Sequence, residues 1–236
     1  MYPETRVVDL NADLGEEITE DAALLEIVTS ANVACGFHAG NERVMREVCE
    51  RAIGLGVAIG AQVSYADREG FGRRPMDVPA ERLTGWVAEQ VAVLSSIALG
   101  AGSRVRYVKA HGALYNRIAD DAEQAAAVLA GSGDLPVLGL PGSTVLDLAS
   151  NAGRAAIGEG FPDRGYTSQG RLVPRDQPGA LVEGAVAVAE HAVALAGSED
   201  VRTVCVHGDS KDAVETARAV RRALLVAGYD VRPWSS

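Results

Sequence analysis

Short apolar runs of strand length alternate along this chain with longer stretches of helical period. The runs Thr5–Asp9, Thr29–Cys35, Val57–Ala61, Val105–Ala110, Pro136–Leu140, Ala155–Glu159 and Val201–Val206 predict strands. Helical periodicity predicts helices over 19–28, 42–55, 79–99, 120–130, 143–149, 181–196 and 211–226. Pro79 suits a first helical position, and Gly228 suits a stop after the last helix. Strand-then-helix units in series predict an α/β protein with a parallel sheet. The runs read as apolar on both faces, as strands buried on both sides are. A closed barrel and an open, doubly wound sheet both satisfy the pattern. No low-complexity linker and no fixed-period repeat divides it, so residues 1–236 read as one domain.

Composition narrows this picture. Hydrophobic residues make up 47% and charged residues 23%, ordinary for a globular protein. The formal charge of −10 repels phosphate backbones and argues against a nucleic-acid partner. No apolar run approaches the roughly 18 residues of a membrane span, and the start of the chain has no basic region followed by an apolar stretch. No membrane association is expected. Cys35, Cys49 and Cys205 are widely spaced and form no C-x-x-C. They read as buried small hydrophobes in a reducing cytoplasm.

The chemistry collects at strand ends. In DLNADLGE, Asp9, Asn11 and Asp13 alternate and so share one face of an extended chain. Two carboxylates and an amide on a buried strand are costly unless they bind something. The stretch resembles the start of a calcium loop, but Leu14 stands where that loop needs glycine, which excludes the reading. The second strand ends ANVACGFHAGN, where Asn32 and His38 would share a face of an extended chain; Lys109 and His111 end the fourth, and His207 and Asp209 end the seventh. Each of these histidines has a glycine within two residues, whereas His191 falls in a helical stretch and reads as structural. Barrels and open α/β sheets both bind ligands at the carboxyl ends of their strands. A lysine there can fix an anion or act as a base.

A long, charged loop follows the third strand and contains DREGFGRR. Loops of that length are usually functional. Arg68, Arg73 and Arg74 are candidates to clamp a carboxylate or phosphate, with Gly70 and Gly72 as hinges of a lid. A second such segment, EGFPDRGYTSQGRLVPR, follows the sixth strand and carries Glu159, Asp163 and Arg164.

In this order, DLNADLGE, ANVACGFHAG, SYADREGFGRR, KAHGALYN, EGFPDRGY with GRLVPR, and VHGD resemble the LamB/YcsF family of 5-oxoprolinase A subunits. The likeness runs from Asp9 to Asp209. It implies a seven-stranded β/α barrel, TIM-like but distorted, related to glycoside hydrolases and polysaccharide deacetylases. It also implies ATP-dependent cleavage of the lactam of 5-oxo-L-proline to L-glutamate, together with subunits B and C. Neither Lys109 nor Lys211 stands in a G-x-x-x-x-G-K-[ST] context, so the chain has no Walker A loop for the ATP, in keeping with a division of labour. The sequence departs from the family's pattern at Gln62 and Val63, which replace a histidine and a proline, and at Asn41 and Ala110. Glutamine is a poor metal ligand and no base near neutral pH, so a role for that histidine does not carry over to Gln62.

Lactam opening needs an activated water and a proton donor to the leaving nitrogen. Asp13 and His38 are the expected water activators, directly or through a divalent metal. His111 and Lys109 are expected to protonate nitrogen or stabilise the oxyanion. Asn11, Arg68, Arg73, Arg74, His207 and Asp209 are expected to bind substrate. Two other readings remain open: a stand-alone metal-dependent deacetylase or amidohydrolase using Asp13, His38 and His111, and a non-catalytic binding subunit, suggested by Gln62.

Overall fold

The computed structural model describes residues 6–18, 20–208 and 212–234. Seven parallel strands form a closed barrel: β1 (Val7–Leu14), β2 (Ser30–Ala34), β3 (Ala58–Val63), β4 (Val105–Ala110), β5 (Val137–Gly139), β6 (Ala156–Gly160) and β7 (Thr203–Val206). Each pairs with the next in chain order, and β1 pairs with both β2 and β7, which excludes the open sheet. Around them lie α1 (Asp21–Leu25), α2 (Glu42–Leu55), α3 (Ala80–Gly100), α4 (Gly112–Arg117), α5 (Ala122–Gly131), α6 (Thr144–Asn151), α7 (Ala185–Ala196) and α8 (Ala213–Val226). A two-residue strand, β8 (Asp230–Val231), pairs with Val7 and Val8 at the start of β1. By length and composition α3 could cross a membrane. It packs as a barrel helix, with Leu83, Val87, Leu94 and Ile97 buried and Gln90 bonded through its amide to the Ser64 backbone.

The strands are two-faced, against the expectation of apolar residues on both sides. Outward-facing Val8, Leu10, Leu14, Val33, Ile59, Val63 and Val108 join the hydrophobic core between sheet and helices. The inside of the barrel is polar. Asn11 donates to Glu159 Oε1 (3.0 Å) and Thr203 Oγ1 (2.6 Å), Asn32 donates to Asn11 Oδ1 (2.7 Å), and the Tyr107 hydroxyl donates to Asn32 Oδ1 (2.7 Å). Asp9, fully buried, accepts from the hydroxyls of Thr29, Ser30 and Thr203. Burial nevertheless pushes its carboxyl up to about 6. This network exists because β1 runs to Leu14 and does not stop at Asp9 as predicted: Asp9, Asn11 and Asp13 are strand residues facing inward.

The floor of the barrel is tightly filled. A Cβ on Gly60 would overlap the Tyr107 ring. That ring is held by its bond to Asn32 and by edge-on packing against Trp234, centroids 6.0 Å apart. Gly60→Ala is therefore expected to destabilise the protein by about 1–3 kcal/mol, the usual cost of overpacking. Urea denaturation checks this, and an unchanged midpoint would show that Tyr107 yields freely.

Candidate functional site

Lys109 ends β4 with its ammonium inside the barrel mouth, and the side chain is 2% exposed. It donates to Asp13 Oδ1 (3.0 Å) and Cys205 Sγ (3.0 Å) and forms an ion pair with Glu159 Oε1 (2.9 Å). Burial disfavours the charge, but Asp13, Cys205 and Glu159 outweigh it and raise the lysine pKa well above its ordinary value. Burial also opposes ionisation of Asp13, yet Lys109 and His111 hold that carboxyl well below the usual range. Lys109 is thus a fixed cation that keeps Asp13 ionised.

Beside this pair lie two stacked imidazoles. The His38 and His111 rings are 4.0 Å apart at 13°. Their tautomers follow from their neighbours. The Ser64 hydroxyl donates to the Tyr65 carbonyl, so His38 Nδ1 donates to Ser64 Oγ (2.8 Å) and Nε2 carries the lone pair. That Nε2 is buried and has no hydrogen-bond partner. Burial, then the neighbouring His111, lower the His38 pKa and keep the ring neutral. His111 Nε2 donates to the Phe71 carbonyl (3.1 Å), which leaves its Nδ1 lone pair facing inward. Both lone pairs converge on Glu16, whose Oε1 is 3.6 Å from His38 Nε2 and 3.5 Å from His111 Nδ1. The ligand atoms of Glu16, His38 and His111 all lie within 4.8 Å of one another.

The donor chemistry of this set fits a divalent cation. Two imidazole lone pairs and a carboxylate, with one of the nitrogens orphaned and buried, suit such an ion. Gln62 already performs part of that task. Its amide nitrogen donates to Glu16 Oε1 (3.0 Å) and His111 Nδ1 (2.8 Å), while its Oε1 is buried without a partner.

The loop after β3 roofs the set, as its position in the sequence suggested. Phe71 packs edge-on against His38 (5.7 Å) and His111 (5.6 Å). Gly72, at φ 68°, passes so close that a Cβ would sit 3.0 Å from His38 Cβ and 3.1 Å from His111 Cδ2. Beside this roof opens a cleft of about 760 Å³. Asp13, Lys109, His111, Arg73 and His207 line it, together with Tyr115, Phe161, Arg164, Arg171 and Arg175. Arg73 reaches it with its guanidinium 5.1 Å from the Phe71 ring.

The remaining expected site residues stand elsewhere. Arg68 staples the loop to the Gly36 and Gly40 carbonyls and to Glu17, and Arg74 pairs with Asp67 and Glu69. Neither lines the cleft, because the loop turns them back onto its own base. Asn11 is a buried strut inside the barrel. Asp209 lies outside the described residues. His191 donates to the Pro162 carbonyl (2.8 Å) and braces the segment after β6, which fits its structural reading.

Two features escaped the sequence reading. Glu16 breaks the alternation of β1 because Gly15, at φ 75°, turns the chain between them. Its only signal was its place at the end of DLNADLGE. Arg171 and Arg175 enter the cleft from the segment between β6 and α7, where no periodicity marks them.

The LamB/YcsF family profile matches residues 8–236. The A subunit of 5-oxoprolinase from Streptomyces avermitilis is 52% identical over 246 residues, covering 95% of this chain and 98% of that protein. Its counterpart from Mycobacterium leprae is 47% identical, with the same coverage of 95% and 98%. Among solved structures, the lactam utilization protein from Thermus thermophilus matches with a TM-score of 0.88 at 36% identity, covering 96% of this chain and 99% of that one. The catalytic domain of a peptidoglycan N-acetylglucosamine deacetylase from Eubacterium rectale shares the fold alone, with a TM-score of 0.58 at 10% identity, covering 100% and 91%.

Proposed function

This chain belongs to the LamB/YcsF family, and we propose that it is the A subunit of an ATP-dependent 5-oxoprolinase, opening the lactam of 5-oxo-L-proline to L-glutamate together with subunits B and C. One observation carries the reading: a buried set of oriented lone pairs, on Glu16, His38 and His111, meets through His111 a cleft lined with arginines. The lone pairs suit activation of water, and the arginines suit the substrate's carboxylate. We place the use of ATP in the assembled enzyme, since this sequence holds no phosphate-cradling motif, and the protein in the cytoplasm.

In this reading Glu16 accepts the proton of the attacking water, and the His111 Nδ1 lone pair shares it once the Gln62 amide that now engages it gives way. His38 completes the set, and Ser64 fixes its tautomer. Asp13, held ionised by Lys109, orients the pair from the barrel side. Lys109 does not deliver the proton to nitrogen, because Asp13 and Glu159 pair with its buried ammonium and raise its pKa well above the ordinary value. Glu16, His38 and His111 would hold a divalent cation, which when bound supplies a Lewis acid and lowers the pKa of a ligated water.

The test is glutamate release from 5-oxoproline and ATP, with and without the partner subunits. Release only in the full mixture is expected. Release by the isolated chain with a divalent metal, without ATP, would favour a metal-dependent amidohydrolase instead. Arg73→Lys keeps the charge and loses the planar fork, so KM is expected to rise roughly tenfold with kcat little changed. Arg74→Lys, outside the cleft, is expected to leave both parameters within about threefold, since surface pairs contribute little. Equal behaviour of the two variants would remove Arg73 from substrate binding.

A further inference from the structure

We propose that His207 and Asp163 form a second acid–base dyad, on the far side of the cleft from Glu16 and His111, with His207 as the general acid that protonates the departing lactam nitrogen. The inference rests on the reading that the cleft opens a lactam. It assigns the step for which Lys109, paired with two buried carboxylates, is held too firmly.

The geometry is that of an oriented imidazole. His207 follows the last residue of β7, and Asp163 lies in the segment after β6. His207 Nδ1 donates to Asp163 Oδ2 at 2.6 Å, and the other oxygen, Oδ1, is buried with no hydrogen bond. Among the described residues the carboxylate therefore bonds through its side chain to the histidine alone. The Phe161 ring stacks on His207 at 5.5 Å and 20° and fixes the ring plane. Asp163 is held in turn by its backbone. Its carbonyl accepts from Val182 N (3.0 Å), and the Arg164 guanidinium bonds the Ala180 and Val173 carbonyls. The Phe161 N–H donates to the Tyr166 hydroxyl (2.7 Å). With Nδ1 engaged, Nε2 is the nitrogen free to act. The side chain is 13% exposed and lines the cleft.

The strand order sets the two groups apart. His111 follows β4 and His207 follows β7, three strands apart in a ring of seven. A substrate carbonyl between them meets the water-activating set on one side and an N–H donor on the other. Among the described residues, the charged groups around His207 are Asp163, Asp13 and Arg175, with Asp212 next to α8 and Lys109 5.1 Å from the Phe161 ring that stacks on His207. Burial and Arg175 disfavour the imidazolium, but Asp163 and Asp13 outweigh them and raise its pKa.

In the step proposed, water oxygen bonds to the carbonyl carbon, the carbonyl π pair moves onto oxygen and returns as C–N breaks, and the water's proton passes to the Glu16–His111 side. The C–N bond then breaks, its electron pair stays on nitrogen, and His207 Nε2 gives that nitrogen a proton. Proton exchange with solvent restores both groups.

The experiment measures kcat and KM for glutamate release by the assembled enzyme with His207→Asn and Asp163→Asn. His207→Asn is expected to lower kcat roughly 10²-fold or more, with KM within about threefold, and circular dichroism should match wild type. A general acid is lost as pH rises through its pKa, so wild-type kcat should fall on the alkaline side. Asp163→Asn removes the charge that raises that pKa, so its alkaline limb should move to lower pH. A purely structural role would not move it. An unchanged limb in Asp163→Asn, or a folded His207→Asn protein with kcat within threefold of wild type, overturns the dyad. Absence of glutamate from the wild-type assembly overturns the lactam reading itself, and the acid with it.

Discussion

Glu16→Gln is expected to lower glutamate release by roughly 10²-fold or more at saturating 5-oxoproline, with the fold retained. The substitution keeps size and shape but replaces a carboxylate by an amide at the point where the His38 and His111 lone pairs converge. The set then loses its charge and one of its proton acceptors. The Gln62 amide, which now donates to Glu16, would meet a second amide able to accept through its own oxygen, so packing has no reason to fail. Steady-state kinetics with the partner subunits, beside thermal melting, separates chemistry from folding. Near-normal turnover by a folded Glu16→Gln protein would remove the whole set from the mechanism.

Lys109→Met is expected to cost stability as well as activity. It removes the cation shared by Asp13 and Glu159, both buried, and leaves two carboxylates facing each other without compensation. Breaking a buried pair from one side costs about 3–5 kcal/mol. For a chain of this size that corresponds to a melting point lower by roughly 6–20 °C. The sign of the pH dependence follows from Asp13. Its carboxyl is held well below 3.8 in the native state. That contribution is present above the unfolded pKa and disappears as pH falls through the folded one. The gap between wild type and variant should therefore be widest near neutrality and narrow toward acid. Melting curves at several pH values check this, and a constant gap would mean that lost packing, not charge, accounts for the loss.

The same lysine shows what sequence alone conveyed. Its place at a strand end was readable, and β4 (Val105–Ala110) and α2 (Glu42–Leu55) match their predicted bounds residue for residue. For α2 the limits were written locally: Asn41 caps the Val44 N–H at 3.2 Å, and Gly56 takes the left-handed conformation at φ 70°. Short elements left no such mark. α4 and β8 were missed because six and two residues carry no period. The polar lining of the barrel was half visible in the alternation of Asp9, Asn11 and Asp13. Its partners Glu159 and Thr203 sit 148 and 192 residues from Asn11, a separation that no spacing rule reaches. The loop arginines were legible as a group but not individually, since the turn through Phe71 and Gly72, both at positive φ, decides which of the three faces inward.

The polar interior also bears on how the molecule must assemble. Asp9 finds its hydroxyl partners only when β2 has docked on one side and β7 on the other, at opposite ends of the chain. Asn11 likewise spans β1, β2, β6 and β7. A partly wound sheet would bury these groups without partners, which is costly. Closure of the ring is thus itself the stabilising event, and a half-barrel has no comfortable resting state. The polar lining makes order in this protein a property of the whole circle.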